Sequence, residues 1–396
     1  MRTQKSLFGR IVFGILPVFL IFAGIGCADL GTAPSSADTP SVKLPLKVGF
    51  FVDEGSRGGG VIQLARLIEY SPQLQLIPLD GQDLHDGKLK EIDLLVIPGG
   101  SGAQQIKTMQ ETGVKAIRQY VADGGAYFGV CAGFLCALNR PEWIGLLPYA
   151  LDLDNIGSRA AVMAEISEKG AKLLDIRPGS YKVIYSHGPV ARRVEQPETG
   201  RSEELAVYKN SISHPKTPRA NFVGTPAMLY GQYGKGKVIV TSFHPESLTT
   251  TRPIALGCIY AVTGVKPAPM FPVRDFRPLR VGYHVTNSGK RGIAEMLMLD
   301  RQSDLDVNFS VSIPDGSLEH LDVVVFPENG NQNAATALKD PQLLTFLERG
   351  GKVIAVGPAA EAAPQHPNVT RLADSGELLH AIRAAGTAPA TQPVRP

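Results

Sequence analysis

One six-residue stretch, Ile92-Asp93-Leu94-Leu95-Val96-Ile97, constrains the fold of this 396-residue chain more than any other. The run is nearly continuous, interrupted by Asp93 alone, so it predicts a central parallel strand covered on both sides. Parallel neighbours need long crossover connections, usually helices. The flanking sequence supplies them. Val48–Val52 and Leu74–Leu79 read as further strands, and Val61–Tyr70 has helical apolar spacing. Gln110–Ala122 reads as a helix leading into a strand that ends at Cys131. Strands alternating with helices predict an α/β domain on a doubly wound, mostly parallel sheet of the flavodoxin-like kind, with sites at the carboxyl ends of strands.

The pattern occurs twice. Leu46-Lys47-Val48-Gly49-Phe50 matches Leu279-Arg280-Val281-Gly282-Tyr283, and Ile92–Pro98 matches Leu321–Pro327. Gly124–Cys131 matches Gly350–Gly357, with Gly357 in place of the cysteine and Glu328-Asn329 in place of Gly99-Gly100. Residues 46–264 are therefore expected to form the first domain, 265–278 a Pro-rich linker, 279–385 a second, truncated copy of the same fold, and 386–396 a disordered tail.

The chemistry concentrates in the first copy. Gly124–Gly133 reads as a buried strand, a tight turn with Cys131 at its apex, and a helix behind it. Gly129 and Gly133 leave room for the reversal and for close strand–helix packing. A thiol at a helix N-terminus is favoured as thiolate, which is how a chain presents a sulfur nucleophile. Downstream, Gly234-Lys235-Gly236 feeds an apolar strand that ends in His244-Pro245-Glu246. Residues i and i+2 of an extended segment share a face, so Glu246 is expected to orient His244 beside the thiol. The Pro98–Gly102 loop falls at a strand end. The amides of Gly99, Gly100 and Ala132 are candidate oxyanion donors. His187, in Tyr185-Ser186-His187-Gly188-Pro189, is a candidate substrate-binding residue. Asp53 and Glu54 are expected either at the site mouth or in a turn, and Gly58-Gly59-Gly60 in a flexible turn beside the site. No zinc-type Cys/His spacing occurs, so neither a metal nor a cofactor is expected.

The N-terminus carries a second message. Arg2, Lys5 and Arg10 precede the short apolar stretch Ile11–Ile25, a signal-peptide pattern too short to span a membrane comfortably. Gly24-Ile25-Gly26-Cys27 looks like a lipoprotein processing site, with Cys27 the lipidated residue after removal of the leader that precedes it. Residues 28–45 then read as a flexible tether. The expected location is exported, anchored to a membrane through lipid on the periplasmic or cell-surface side. The formal net charge of +3 gives no reason to expect nucleic-acid binding.

Taken together, these motifs resemble the class I glutamine amidotransferase-like superfamily, and within it the family of the biotin-protein ligase N-terminal domain. The resemblance spans about residues 46–264 and rests on Val96–Gly102, Gly129–Gly133, Tyr185–Pro189, Gly224–Ala227 and Gly234–Glu246. It implies an amidotransferase-like fold and a Cys131–His244–Glu246 triad acting on a small amide-containing substrate. Many glutamine-using members carry Gln where this chain has Leu135, and the chain has no segment resembling a synthetase or ligase. Two readings follow: an exported cysteine hydrolase acting on an amide, or a non-catalytic binding or scaffold lipoprotein that keeps the pocket. The identity of any protein partner is left open.

Overall fold

The computed structural model describes residues 44–153, 159–195, 201–212, 221–275, 277–284, 289–309, 313, 317–328 and 332–387. The expected leader at 1–27, the expected lipidation residue Cys27, the stretch read as a tether up to 43, Asn329 and the segment from 388 read as a tail lie outside the described residues.

The first strands appear where the apolar runs predict them: β1 (Leu46–Phe51), β2 (Leu74–Leu79), β3 (Leu94–Ile97) and β4 (Ala126–Val130). Every residue of β3 and β4 is buried, as a strand with helices on both faces requires. The helices between them are α1 (Gly59–Glu69), α2 (Gly81–His85) and α3 (Gly102–Ala122), and α4 (Ala132–Ala137) follows β4. In α1 the apolar face is Val61, Ile62, Leu64, Ala65, Leu67 and Ile68, all buried. α3 starts at Gly102, earlier than its apolar spacing indicates, capped by the Ser101 side chain. It breaks at Gln110 (φ 56°, ψ 177°), where the sequence reading begins the helix.

The chain continues through β5 (Tyr149–Leu153), β6 (Ala160–Ile166), α5 (Glu168–Leu174), β7 (Gly179–Tyr185), β8 (Val190–Arg193), β9 (Ser202–Tyr208), β10 (Pro226–Tyr233), β11 (Gly236–Thr241) and α6 (Arg252–Thr263). β5 and β8 form a separate ribbon. The remaining strands make one nine-stranded sheet, ordered β2-β1-β3-β4-β11-β10-β9-β6-β7. It is parallel from β2 to β11 and antiparallel from β11 to β7. β11 lies between the two halves, parallel to β4 and antiparallel to β10. The elbow after β4 and the His244 segment after β11 therefore leave the sheet side by side.

A second, five-stranded sheet holds β12 (Leu279–Tyr283), β13 (Leu305–Asn308), β14 (Val323–Phe326), β15 (Lys352–Val356) and β16 (Val369–Leu372). Its order, β13-β12-β14-β15-β16, is parallel throughout and repeats β2-β1-β3-β4 of the first sheet. Its elbow residue, Gly357, has φ 56° and ψ −127°, close to the φ 53° and ψ −99° of Cys131. The closing helix runs Leu378–Thr387, so residues 386 and 387, read as the start of the tail, are helical.

The Pro-rich stretch read as a linker is a packed strap. The Met270 amide donates to the Tyr70 carbonyl at 2.8 Å, and the Ala268 amide to Gln73 Oε1 at 3.1 Å. Phe271 lies edge-on to Tyr70, with the guanidinium groups of Arg66 and Arg252 each 5.3 Å from its ring centre. Helix α7 (Lys290–Asp300) packs beside α1 and ends at Asp300, which is 1% exposed. A carboxylate at a helix C-terminus opposes the helix dipole. Two cations offset this: Arg66 Nε lies 2.7 Å from Oδ2 and Arg274 Nη2 lies 2.6 Å from Oδ1. The Tyr70 hydroxyl donates to Oδ2 at 2.7 Å.

Candidate active site

Cys131 is the N-cap of α4, with a positive φ that non-glycine residues seldom adopt. The surroundings hold it there. Its amide donates to the Thr241 carbonyl at 2.8 Å, and its carbonyl accepts from the Leu135 amide at 3.0 Å. A Cβ on Gly129 would stand 2.5 Å from the Gly133 carbonyl oxygen, and one on Gly133 would stand 2.1 Å from the Ile97 carbonyl oxygen. The two glycines thus do what their spacing predicts. α4 has only six residues, so its dipole adds less to thiolate stability than the sequence reading supposes.

His244 and Glu246 meet, but beyond the strand rather than on it. β11 ends at Thr241, and the His-Pro-Glu segment turns. The His244 amide bonds the Ile184 carbonyl at 2.8 Å, which fixes the backbone where the turn begins. Its Nδ1 then lies 2.8 Å from Glu246 Oε1, and the imidazole is within hydrogen-bond reach of Cys131. Glu246 is 1% exposed, and its Oε2 has no hydrogen-bond partner among the described residues. Leaving a buried charged oxygen unpaired costs on the order of 1–3 kcal/mol or more, which is seldom retained at a position with no task.

Burial alone would push the His244 pKa down. The charges of Glu246 and Cys131, and hydrogen bonds to both, outweigh it and hold His244 well above its ordinary 6.5. A pKa raised on folding contributes stability below the unfolded value, which is lost as pH climbs through the folded one. Urea unfolding of wild type and His244→Gln is therefore expected to show a stability difference that is largest near pH 6 and declines at alkaline pH. A difference that grows with pH would contradict this charge assignment.

Gly99 borders the pair: a Cβ there would stand 2.8 Å from His244 Cε1 and 3.6 Å from Cys131 Cβ. The Gly99 carbonyl accepts from the Arg57 amide at 3.3 Å. Across a trans peptide the next N–H points the opposite way, so the Gly100 N–H faces away from Arg57. The Ala132 N–H is one of the first-turn donors that α4 leaves without an intrahelical acceptor. His187 is exposed, with φ 56°. Its loop reaches the thiol through the neighbouring residue, since the Ser186 carbonyl accepts from Cys131 Sγ at 3.5 Å. Asp53 is a turn residue, accepting from the Gly81 amide at 2.9 Å, and Glu54 accepts from the Gln104 side-chain amide.

Sequence reasoning did not assign the Ser186 carbonyl or Gly60. A Cβ on Gly60 would stand 2.4 Å from Glu246 Oε1 and 3.1 Å from His244 Nδ1. The third glycine of the 58–60 run is thus a wall of the site at the start of α1. The only signal for it in the sequence is the run itself.

Residues 63–144 match the family model described as "Biotin-protein ligase, N terminal". That stretch is the part of the chain similar to this family, and about two fifths of the chain is homologous to a biotin-protein ligase and to class I glutamine amidotransferase-like PdxT subunits. The family segment contains Gly99, Gly100, Cys131 and Ala132, and stops short of His244. Across 174 residues the chain is 27% identical to the biotin-protein ligase of Schizosaccharomyces pombe, matching 41% of this chain and only 26% of the ligase. Across 178 residues it is 24% identical to the pyridoxal 5'-phosphate synthase subunit PdxT of Bifidobacterium adolescentis, matching 41% of this chain and 78% of that subunit. Among solved structures, PurLQS from Thermotoga maritima overlaps 54% of this chain and 95% of its own at 16% identity, with a TM-score of 0.38. Among the described residues no cluster of three or more His, Cys, Asp or Glu side chains suits a metal ion, and no helix is long and apolar enough to cross a membrane.

Proposed function

We propose that this biotin-protein ligase N-terminal family protein is a cysteine-nucleophile amide hydrolase, with Cys131 as nucleophile, His244 as acid and base, and Glu246 as the group that orients His244. The observation that carries this reading is the 2.8 Å contact between His244 Nδ1 and Glu246 Oε1, which leaves the other ring nitrogen for Cys131. The thiolate adds to the amide carbonyl carbon. The developing oxyanion is held by the Gly100 and Ala132 amides. Collapse expels the nitrogen, protonated by the imidazolium, and leaves a thioester on Cys131. Neutral His244 then takes a proton from water, which attacks the thioester and releases a carboxylic acid with the thiol regenerated. His187, exposed on the loop that reaches the thiol, is assigned to binding the substrate. Through its leader and a lipid on Cys27, the protein is placed on the outer side of a membrane. That placement rests on the Arg2–Asp29 sequence alone.

The test is the rate of Cys131 alkylation by iodoacetamide in the full chain. At pH 6.5 a free thiol is about 1% thiolate, given an ordinary pKa of about 8.5. Cys131 is expected to react at least ~10-fold faster than such a thiol, and to lose that excess in His244→Ala. Equal rates in the two proteins would overturn the Cys–His pairing.

A further inference from the structure

The second lobe does more than accompany the first. α1 touches the candidate site at one end and the second lobe at the other. At its start, Gly60 has no room for even a methyl group against Glu246 and His244. At its end, Arg66 and Tyr70 are both committed to Asp300, the last residue of α7. The helix between is short, regular and buried along one face, so it moves as a rod. The other flank of the Glu246 turn is held at the same place. The Pro245 carbonyl accepts from Thr251 Oγ1 at 2.7 Å, and Arg252, the first residue of α6, shares both Phe271 and the Gln63 side chain with Arg66. Arg274 of the strap completes the cluster, donating to the Asp300 carboxylate and, at 2.6 Å, to the Asp300 and Gln302 carbonyls. Arg301 adds an ion pair to Glu69 at the end of α1.

From this arrangement we infer that Asp300 is a positioning residue for the Cys131–His244–Glu246 site, acting from the second lobe through α1. The argument is one of tolerance. Glu246 is buried, with one oxygen against the start of α1 and the other unpartnered, so the α1 backbone decides where its carboxylate can rest. Asp300 gathers two hydrogen-bond donors, the Tyr70 hydroxyl and Arg274 Nη2, and the ion pair from Arg66 onto one carboxylate. Neutralising it leaves Arg66 and Arg274 facing each other with no anion between them, and α1 shifts away from the strap. Contact with Glu246 loosens, and His244 loses its fixed orientation toward the thiol. The inference rests on the proposed function of the site, because it assigns a support to that triad.

The experiment is a double-mutant cycle read by Cys131 alkylation at pH 6.5 in the full chain, with Asp300→Asn and His244→Ala. Asparagine keeps the size and one acceptor, so the fold is expected to persist with a lowered melting temperature. Asp300→Asn is expected to slow alkylation about fivefold in the wild-type background, as energetic coupling through packed elements allows, and to change it less than about 1.5-fold when His244 is already absent. Equal slowing in both backgrounds, or none in either, overturns the inference. If Asp300→Asn gives no cooperative melt, Tyr70→Phe takes its place in the cycle. It removes one donor and no charge, with about a twofold slowing expected in the wild-type background only and the same overturning result. Failure of the triad reading has its own mark: His244→Ala alone would then leave alkylation unchanged.

Discussion

Replacing Cys131 with serine is expected to lower amide hydrolysis by at least ~10³-fold, the scale seen when a nucleophile that acts as a unit with its base is removed. The substrate to try first is glutamine, followed by other small primary amides, with released ammonia as the readout. The size of the effect follows from the proton. A thiol gives up its proton to an imidazole readily, and the His244 pKa is held well above its ordinary value, which favours a ring that takes up that proton. A serine hydroxyl in the same place has an ordinary pKa far above that of an imidazole. It would need a more strongly polarising arrangement than the single contact from Glu246 Oε1 supplies. Serine fits the space and its backbone demand equals that of cysteine, so the melting temperature is expected to change little. Ammonia release within twofold of wild type in Cys131→Ser would remove Cys131 from the reaction.

The second large effect is expected at a residue with no side chain. Gly99→Ala places a methyl group 2.8 Å from His244 Cε1 and 3.6 Å from Cys131 Cβ. The nearest atom belongs to the His244 ring itself, so relief comes from moving His244. A displacement of about 1 Å costs roughly 10²-fold in rate, and that loss is expected in both hydrolysis and His244-dependent alkylation. The Gly99 φ is not in the left-handed region, so alanine there adds no backbone strain and the fold is expected to persist. Wild-type rates in Gly99→Ala, with a wild-type melting curve, would show that His244 does not work from its observed position.

What the sequence made legible is what one segment decides for itself. The β4–Cys131–α4 elbow is written in five buried strand residues and two glycines whose neighbours are each other or the adjacent strand. The His244–Glu246 contact is also local, two residues apart, so it survives the change from an extended segment to a turn. What stayed hidden depends on segments far apart in sequence. The Gly58-Gly59-Gly60 run points to a turn beside the site, but that Gly60 faces Glu246 follows from how α1 leaves β1 and how β11 enters beside β4, which the run does not encode. The Ser186 carbonyl is a backbone group, and composition does not mark backbone groups. The antiparallel half of the sheet escaped because strands such as β6 and β7 alternate buried and exposed residues, a weaker signal than the unbroken apolarity of β3. The strap was read as a linker because proline marks irregular backbone equally well whether it packs or not.

The two elbows carry nearly the same backbone angles, one with cysteine and one with glycine. Glycine visits that region freely, whereas a residue with a Cβ gives up about 1–3 kcal/mol to stay there. The second copy shows the same bend made by a residue that adopts it at ease. In the first copy the same bend is made by a residue with a side chain, which holds the backbone there under tension. On backbone conformation alone, glycine would suit the position of Cys131 better than cysteine does.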